Sequence, residues 1–266
     1  MKQKLFSVVI PTYNSAPKLA ATIESVLSQP GELCEIIVVD GGSKDETLRV
    51  VESYGGALTF ISEADRGVYD ALNKGVGLSS GKYLFFIGAG DRLKEGVLEQ
   101  VARTLPEGGL SLVYGDAYLR LHGVRHGFAF ARKDFIKDNI CHQAIFYERT
   151  IFDALGGFDI KYKVYADWAF NMKCFADPRV RTIYTGQLVA DFEGGGISDT
   201  QEDRNFKRDL PRLIRKYVGM NEYLRYRIYL ARVRFYVFRR TLAGSLKTAS
   251  AQPTSLLRRQ KPYDVE

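Results

Sequence analysis

The chain has 266 residues, 45% of them hydrophobic and 26% charged, which is ordinary globular composition with room for a full core in one or two domains. Three cysteines, Cys34, Cys141 and Cys174, are odd in number and lack CxxC spacing, so they suggest no disulfide framework or zinc site, and a reducing cytosol fits. The net charge of +7 is uneven: residues 204–261 carry 16 Lys+Arg against 2 Asp+Glu, a net +14, which leaves −7 on the rest.

The opening segment is basic, but its apolar run is too short for a signal sequence and flows into Pro11, so it reads as a first strand, 5–10. A helix is expected over 16–29, where Leu19, Ile23, Val26 and Leu27 fall at helical spacing behind Asn14 or Ser15 as cap. A second apolar, β-branched strand, 36–39, ends in Asp40-Gly41-Gly42-Ser43 and leads to a helix over 45–54. A third strand at 58–62, a helix at 68–78 and a fourth strand at 83–87 follow. Continuous apolar strands alternating with helices across short connections imply an α/β fold with a parallel sheet. Beyond residue 100 the pattern changes. Paired strands are expected at 112–121 and 125–130, helices at 148–155 and 166–175, and an extended run at 181–192. Residues 203–243 read as helical with a break near Gly219, and the last twenty, with Pro253 and Pro262, as loosely ordered. No uncharged apolar run approaches the roughly 18 residues that span a bilayer.

The most informative stretch is Tyr83 to Arg92, an apolar run that stops at Gly88-Ala89-Gly90-Asp91. Open α/β sheets bind ligands at the carboxyl ends of their strands, so Asp91 is a candidate site residue, able to hold a divalent cation against a phosphate. A polar turn ending a strand is the plain alternative. Pro11, Thr12 and Asn14 leave the first strand at the same edge, where free backbone N–H groups suit a phosphate or a base carbonyl. Asp40 ends the second strand there, and Gly42 lets a ligand approach the backbone. Ser43 and Asp45 read equally well as helix caps. Tyr69 and Asn73, four apart, share a helix face expected to turn towards the cleft.

Val8-Val9-Ile10-Pro11-Thr12-Tyr13-Asn14 followed by Glu35 to Thr47 with Asp40-Gly41-Gly42-Ser43 resembles the opening of the family-two inverting glycosyltransferases. Asp65-Arg66-Gly67-Val68-Tyr69-Asp70-Ala71-Leu72-Asn73-Lys74-Gly75 resembles a bacterial branch that builds surface polysaccharides. The resemblance covers about 5–195 and implies the GT-A type Rossmann-like fold of nucleotide-diphospho-sugar transferases. It implies nucleotide contact at Asp40, Asp65 and Arg66, with Lys74 facing a phosphate or simply solvent. The family's metal motif is usually two acids; Gly88 replaces the first, so Asp91 alone matches. Mg²⁺ or Mn²⁺ is the expected cofactor, with Gly90 lining the donor. Asp167, in Tyr165-Ala166-Asp167-Trp168, matches the segment that supplies the catalytic base, with a helix N-cap as its plain reading. Cys141-His142-Gln143 matches an acceptor-side strand, so His142, Gln143 and Trp168 are assigned to the acceptor side.

The tail interleaves arginines at 225, 227, 232, 234, 239 and 240 with apolar and aromatic residues, a pattern suited to a membrane interface, or to packing on the catalytic body or a second subunit. An anionic membrane surface bound through 204–261 is the expected partner; no nucleic-acid motif occurs. The expected organisation is a catalytic domain over 1–200, divided near 100 into donor and acceptor halves, a basic helical extension over 201–245 and a loose tail over 246–266. The expected function is transfer of a sugar from a nucleotide-diphosphate donor to a lipid-linked glycan, at the cytoplasmic face of the plasma membrane. A non-catalytic glycan-binding scaffold and a sugar nucleotidyltransferase are the alternatives, the latter disfavoured because the first loop lacks its glycine-rich, basic signature.

Overall fold

The computed structural model describes residues 4–245. The first half alternates strand and helix: β1 (Phe6–Thr12), α1 (Ala16–Leu27), β2 (Cys34–Asp40), α2 (Thr47–Glu52), β3 (Thr59–Ser62), α3 (Val68–Leu78) and β4 (Tyr83–Phe86). These four strands pair in parallel in the order β3-β2-β1-β4. Pro11 is tolerated in this central strand because β1 outruns β4, whose pairing stops at Val9↔Phe86, so no ladder donor is lost at Pro11.

The second half adds β5 (Arg92–Leu93), α4 (Val97–Ala102), β6 (Ser111–Leu119), β7 (Val124–His126), β8 (Ile145–Glu148), α5 (Thr150–Leu155), α6 (Ala166–Ala176) and β9 (Arg181–Phe192). The sheet continues from β4 through β8, β6 and β9 to β5, with β7 on β6. β8 runs antiparallel to β4 and β6, and β9 parallel to β6, so six strands share one direction and β5, β7 and β8 oppose them. This is the mostly parallel α/β sheet expected.

Three local expectations are corrected. The hairpin partner of β6 stops at His126 because Gly127 folds over Asp116, where a Cβ would lie 1.9 Å from Oδ1. α2 begins at Thr47 because Asp45 takes the Thr47 N–H into a turn at 3.0 Å. Residues 141–143 are no strand: the Ala144 N–H closes a turn on the Cys141 carbonyl at 2.9 Å, and β8 starts at Ile145.

Alternate residues of the central strands enter two cores, as the period of two demands. Val9, Ile37, Val39, Leu84 and Phe86 pack on the face covered by α3, α5 and α6. Val8, Ile10, Ile36, Val38 and Phe85 pack on the face covered by α1 and α4. Gly75 lets α3 lie against the sheet, since a Cβ there would fall 2.3 Å from Val9 Cγ1.

After β9 the chain forms α7 (Ile197–Thr200), α8 (Arg204–Leu213), a wide π turn at Ile214–Val218 and α9 (Met220–Ser245). The break at Gly219 falls where expected, at φ 138°. Phe206, Leu210, Ile214 and Tyr226 share a buried cluster with Trp168, so this extension is packed into the body. Met220, Leu224, Ile228 and Phe235 are exposed on α9. Among the described residues no helix is long and apolar enough to cross a membrane. The expected loose tail, and the part of the basic segment beyond 245, lie outside the described residues.

Candidate active site

The strand-end loops of the first half form one hydrogen-bonded body. Asn14 N–H donates to Ser43 Oγ at 2.8 Å, and Asn14 Oδ1 accepts from Lys44 N–H at 2.8 Å. Asn14 adopts φ 47°, a left-handed conformation that Asn tolerates better than most side chains. Ser15 caps α1 by position only; the donors at the helix start go across to the neighbouring loop, Ser15 N–H to Thr47 Oγ1 at 2.8 Å and Ala16 N–H to Asp45 Oδ2 at 3.3 Å. Asp45 thus serves two helices, and the expected cap by Asn14 or Ser15 is replaced by this exchange.

Asp40 is fully buried at the end of β2. Its Oδ2 accepts from Gly42 N–H and Ser43 N–H, both at 3.0 Å, and from Ser62 Oγ at 2.6 Å, while Oδ1 accepts from Ser43 Oγ. Burial alone would raise its pKa, but these hydrogen bonds outweigh burial and hold it below the usual carboxylate value. Asp40 therefore shapes its own loop, and Asp65 of the β3–α3 loop and Tyr13 of the β1–α1 loop lie against it at Gly41. A Cβ at Gly41 would lie 2.5 Å from Asp65 Oδ2 and 3.4 Å from the Tyr13 ring, so glycine is what lets the two meet there. The Tyr13 ring is 59% exposed, an open aromatic face beside a carboxylate. Thr12 Oγ1 is buried at the base of this loop without a hydrogen-bond partner among the described residues.

Asp91 is 5% exposed. Its Oδ1 accepts from Glu193 N–H and its Oδ2 from Gln143 Nε2, both at 2.8 Å. Burial pushes its pKa up to about 6, only partly offset by these donors, and the nearby Glu193 charge adds to the rise. Thr22 of α1 pins the loop, accepting from Gly90 N–H at 2.9 Å and donating to the Asp91 carbonyl at 2.8 Å. Gly90 has φ 111°, and a Cβ there would strike Glu193 Oε2 at 2.3 Å. Glu193 is itself paired with Lys18 at 2.8 Å. At Gly88 a Cβ would begin 3.0 Å from Asp91 Oδ2. Among the described residues no three His, Cys, Asp or Glu side chains converge as a metal cage. The donor set fits a cation held at one point by Asp91, with diphosphate oxygens and waters completing the shell.

Asp167, in the first turn of α6, is 6% exposed. It is no N-cap; Tyr165 holds that position. Its Oδ1 lies 2.6 Å from Tyr69 Oη, its Oδ2 accepts from Asn139 Nδ2 at 2.8 Å, and His142 Nδ1 stands 3.9 Å away. Burial, then the Asp167 charge, push the Tyr69 hydroxyl well above its usual pKa, so it remains a donor. Burial lowers the pKa of His142 and Asp167 offsets this in part, leaving a neutral imidazole packed on Phe86 and Phe158. The 141–143 turn therefore joins the two acids: Gln143 touches Asp91, and His142 faces Asp167.

Other expected site residues lie elsewhere in the network. Arg66 is exposed and paired with Asp70 at 3.0 Å. Lys74 binds Glu63 at 2.8 Å and the Ala64 carbonyl at 3.0 Å, bracing the loop that carries Asp65. Tyr69 is buried, its hydroxyl between the Val164 carbonyl at 2.7 Å and Asp167, and Asn73 holds the Phe158 backbone through both amide atoms at 2.9 Å. Trp168 is packed on Tyr165 and Phe206 in the core, its indole N–H donating to the Phe135 carbonyl at 2.9 Å. Sequence reading missed Asn139, Thr22, Glu193 and Asp203. Asp203 accepts Val164 N–H at 2.9 Å and Tyr165 N–H at 3.3 Å on Oδ2, and Phe206 N–H at 2.9 Å on Oδ1, tying the approach to Asp167 to the start of α8. Asp203 carries a local helix-cap signal, but nothing in the sequence ties it to 164–165, and Asn139, Thr22 and Glu193 carry no local signal.

Known proteins identify the family and the fold. The chain is 42% identical over 219 residues to a PGL/p-HBAD biosynthesis glycosyltransferase of Mycobacterium bovis, covering 79% of this chain and 86% of that protein. It is 30% identical over 217 residues to an uncharacterized glycosyltransferase of Mycobacterium tuberculosis, covering 78% and 82%. A mannosyltransferase from Pyrobaculum calidifontis, solved with GDP-Man and Mn²⁺, superimposes with a TM-score of 0.66 at 18% identity over 95% of this chain and 78% of that one. S. aureus TarS 1–349, solved with UDP-GlcNAc, gives 0.62 at 19% identity over 79% and 65%. These two likenesses establish the GT-A type fold. The profile of glycosyl transferase family 2 matches residues 7–155, from β1 through the Asp91 loop to α5, and with the mycobacterial relatives it establishes that the chain belongs to this family and is a glycosyltransferase.

Proposed function

We propose that the protein is an inverting transferase, moving a sugar from a nucleotide-diphosphate donor to a hydroxyl of a lipid-linked glycan in bacterial surface polysaccharide synthesis. The observation that carries this reading is the 141–143 turn, which links Asp91 through Gln143 and faces Asp167 through His142. Inversion needs one group to ease diphosphate departure and a base across the sugar from it. Asp91 and Asp167, joined by this one short turn, suit those two roles.

Tyr13 and Asp65 would receive the base and ribose, and the β1–α1 loop the diphosphate. A divalent cation, when bound at Asp91, supplies charge neutralisation to the leaving diphosphate. Asp167 takes the proton of the attacking hydroxyl. Tyr69 and Asn139 hold its two oxygens and fix its direction. Neutral His142 lies beside it, able to hydrogen-bond substrate oxygen without competing for the proton. The solved neighbours were crystallised with UDP-GlcNAc and with GDP-Man, which supports a nucleotide-sugar donor without choosing the base. The mycobacterial relative's name ties that protein to PGL/p-HBAD biosynthesis, in keeping with a glycan acceptor carried on a larger molecule. The exposed apolar stripe of α9 with its arginines would hold the enzyme against the inner face of the membrane.

Thermal shift of the purified chain against a panel of nucleotide sugars, each with Mg²⁺ or Mn²⁺, tests the donor. A true donor raises the melting temperature by mass action. The anomeric configuration of product formed with that donor then tests inversion. Stabilisation by no nucleotide sugar overturns the donor assignment, and retention of configuration overturns the single-base mechanism.

A further inference from the structure

Asp167 and Asn171 occupy one face of α6, in contact with Asn139. Ala166, Ala169, Phe170 and Lys173, at helical spacing, form another face and line a separate cavity of about 220 Å³. Its other walls are the 157–162 turn, the last residues of α8 and the π turn. Four cations border it: Lys161, Lys173, Arg212 and Lys216. Its two carboxylates, Asp159 and Asp209, both pair with Lys161, at 3.1 and 3.3 Å, and Asp209 also binds Arg208 at 3.0 Å. Among the described residues Lys173, Arg212 and Lys216 have no carboxylate partner.

Three of the four bordering cations lie over aromatic rings. Lys161 Nζ lies 4.6 Å from the centre of the Tyr162 ring, Lys173 5.9 Å from Phe170 and Lys216 4.9 Å from Tyr217. A cation on a ring face keeps its outward N–H donors for another acceptor. Arg212 also complements the carbonyl end of α8, but that does not account for Lys173, which arrives from α6. Three cations from three elements, α6, α8 and the π turn, converging on a concave, aromatic-lined space, are the features of an anion site.

We propose that this cavity binds a phosphate group, whose oxygens meet Lys173, Arg212 and Lys216 while the aromatic floor takes the apolar part attached to it. The site is distinct from the donor cleft and stands whether or not the transfer reaction is as proposed above. A phosphate bound there ties α6, which carries Asp167, to α8.

Lysine acetylation followed by mass spectrometry locates such binding in the intact chain. The probes are sodium pyrophosphate, vesicles of phosphatidylglycerol in phosphatidylcholine, vesicles of phosphatidylcholine alone, and potassium chloride at matched ionic strength. Lys133, exposed and not among the residues that line the cavity, is the internal control. The expected result is that pyrophosphate or the anionic vesicles slow acetylation of Lys173 about fivefold or more at concentrations that fill the site, with Lys133 unchanged. The Arg212→Gln/Lys216→Gln variant, altered at two exposed positions, should fold as the wild type does and lose that protection. Protection by pyrophosphate assigns a free phosphate or diphosphate; protection by anionic vesicles alone assigns a lipid headgroup. Protection by neither, equal protection by potassium chloride, or protection that persists in the double variant overturns the proposal.

Discussion

Asp167 is held on both oxygens by uncharged donors, Tyr69 and Asn139, so its orientation is fixed without an ion pair that would weaken it as a base. Asp167→Asn preserves shape and removes the proton acceptor; kcat should fall by at least about 10²-fold with donor KM near the wild-type value. Steady-state kinetics decide between this and a structural role, in which both parameters would worsen. Asp91 makes a prediction about pH. Burial raises its folded pKa to about 6, above the usual aspartate range, so the folded state favours the protonated form. Its contribution to stability is therefore most favourable in acid and is lost as pH rises through about 4 to 6. Cation binding needs the ionised form, so cation-dependent donor affinity should fall about tenfold per unit below pH 6. Titrating donor affinity with and without Mn²⁺ from pH 5 to 8 checks it, and Asp91→Asn should abolish the cation effect throughout. Asp91 was legible from the residues themselves, at a strand end broken by glycines, whereas Asp167 was legible only through the family resemblance of Tyr165-Ala166-Asp167-Trp168. Asn139 was not, because its partner lies 28 residues away and nothing local marks it; Asp203 is marked locally only as a helix cap, and its grip on 164–165 spans 38–39 residues.

At the scale of elements, Asp203 does two jobs with one carboxylate, capping α8 and gripping the 164–165 backbone. Asp203→Ala would leave three N–H groups without that acceptor, at a cost of about 2–4 kcal/mol. Urea unfolding should show that loss, and kcat should drop more than donor affinity because the segment leading into Asp167 loosens. An unchanged kcat in the folded variant would confine Asp203 to stability. The parallel half was legible because buried strands read as continuous β-branched runs between amphipathic helices. β5, α4 and β8 have two, six and four residues, too short for a period to register. Their places are set by tertiary partners: β5 by Ala190 and Asp191 of β9, and β8 by lying between β4 and β6. Family resemblance alone puts residues 141–143 on a strand, and a backbone bond from Ala144 N–H to the Cys141 carbonyl makes them a turn.

For the molecule as a whole, the charge split was plain in the sequence, but not which side of α9 it would serve. Tyr226 is buried against the body while Met220, Leu224 and Ile228 face outward. Truncation after Val233 keeps Tyr226 in place and removes seven Lys and Arg residues. If the helix docks on anionic lipid, with each cation contributing about 1 kcal/mol near the surface, sedimentation with phosphatidylglycerol vesicles should fall by more than about tenfold. Salt should weaken the intact protein's binding in the same assay. Undiminished sedimentation of the truncated chain would place the contact elsewhere. The loops at the donor edge carry a different whole-chain consequence. Because the first amides of α1 close on Ser43, Asp45 and Thr47 rather than on their own segment, that helix cannot finish its start until a stretch about thirty residues later has arrived. The first two strand–helix units therefore mature together, and in native-state hydrogen exchange the amides of Asn14, Ser15 and Ala16 should open in step with those of Ser43 and Thr47 as a single cooperative unit.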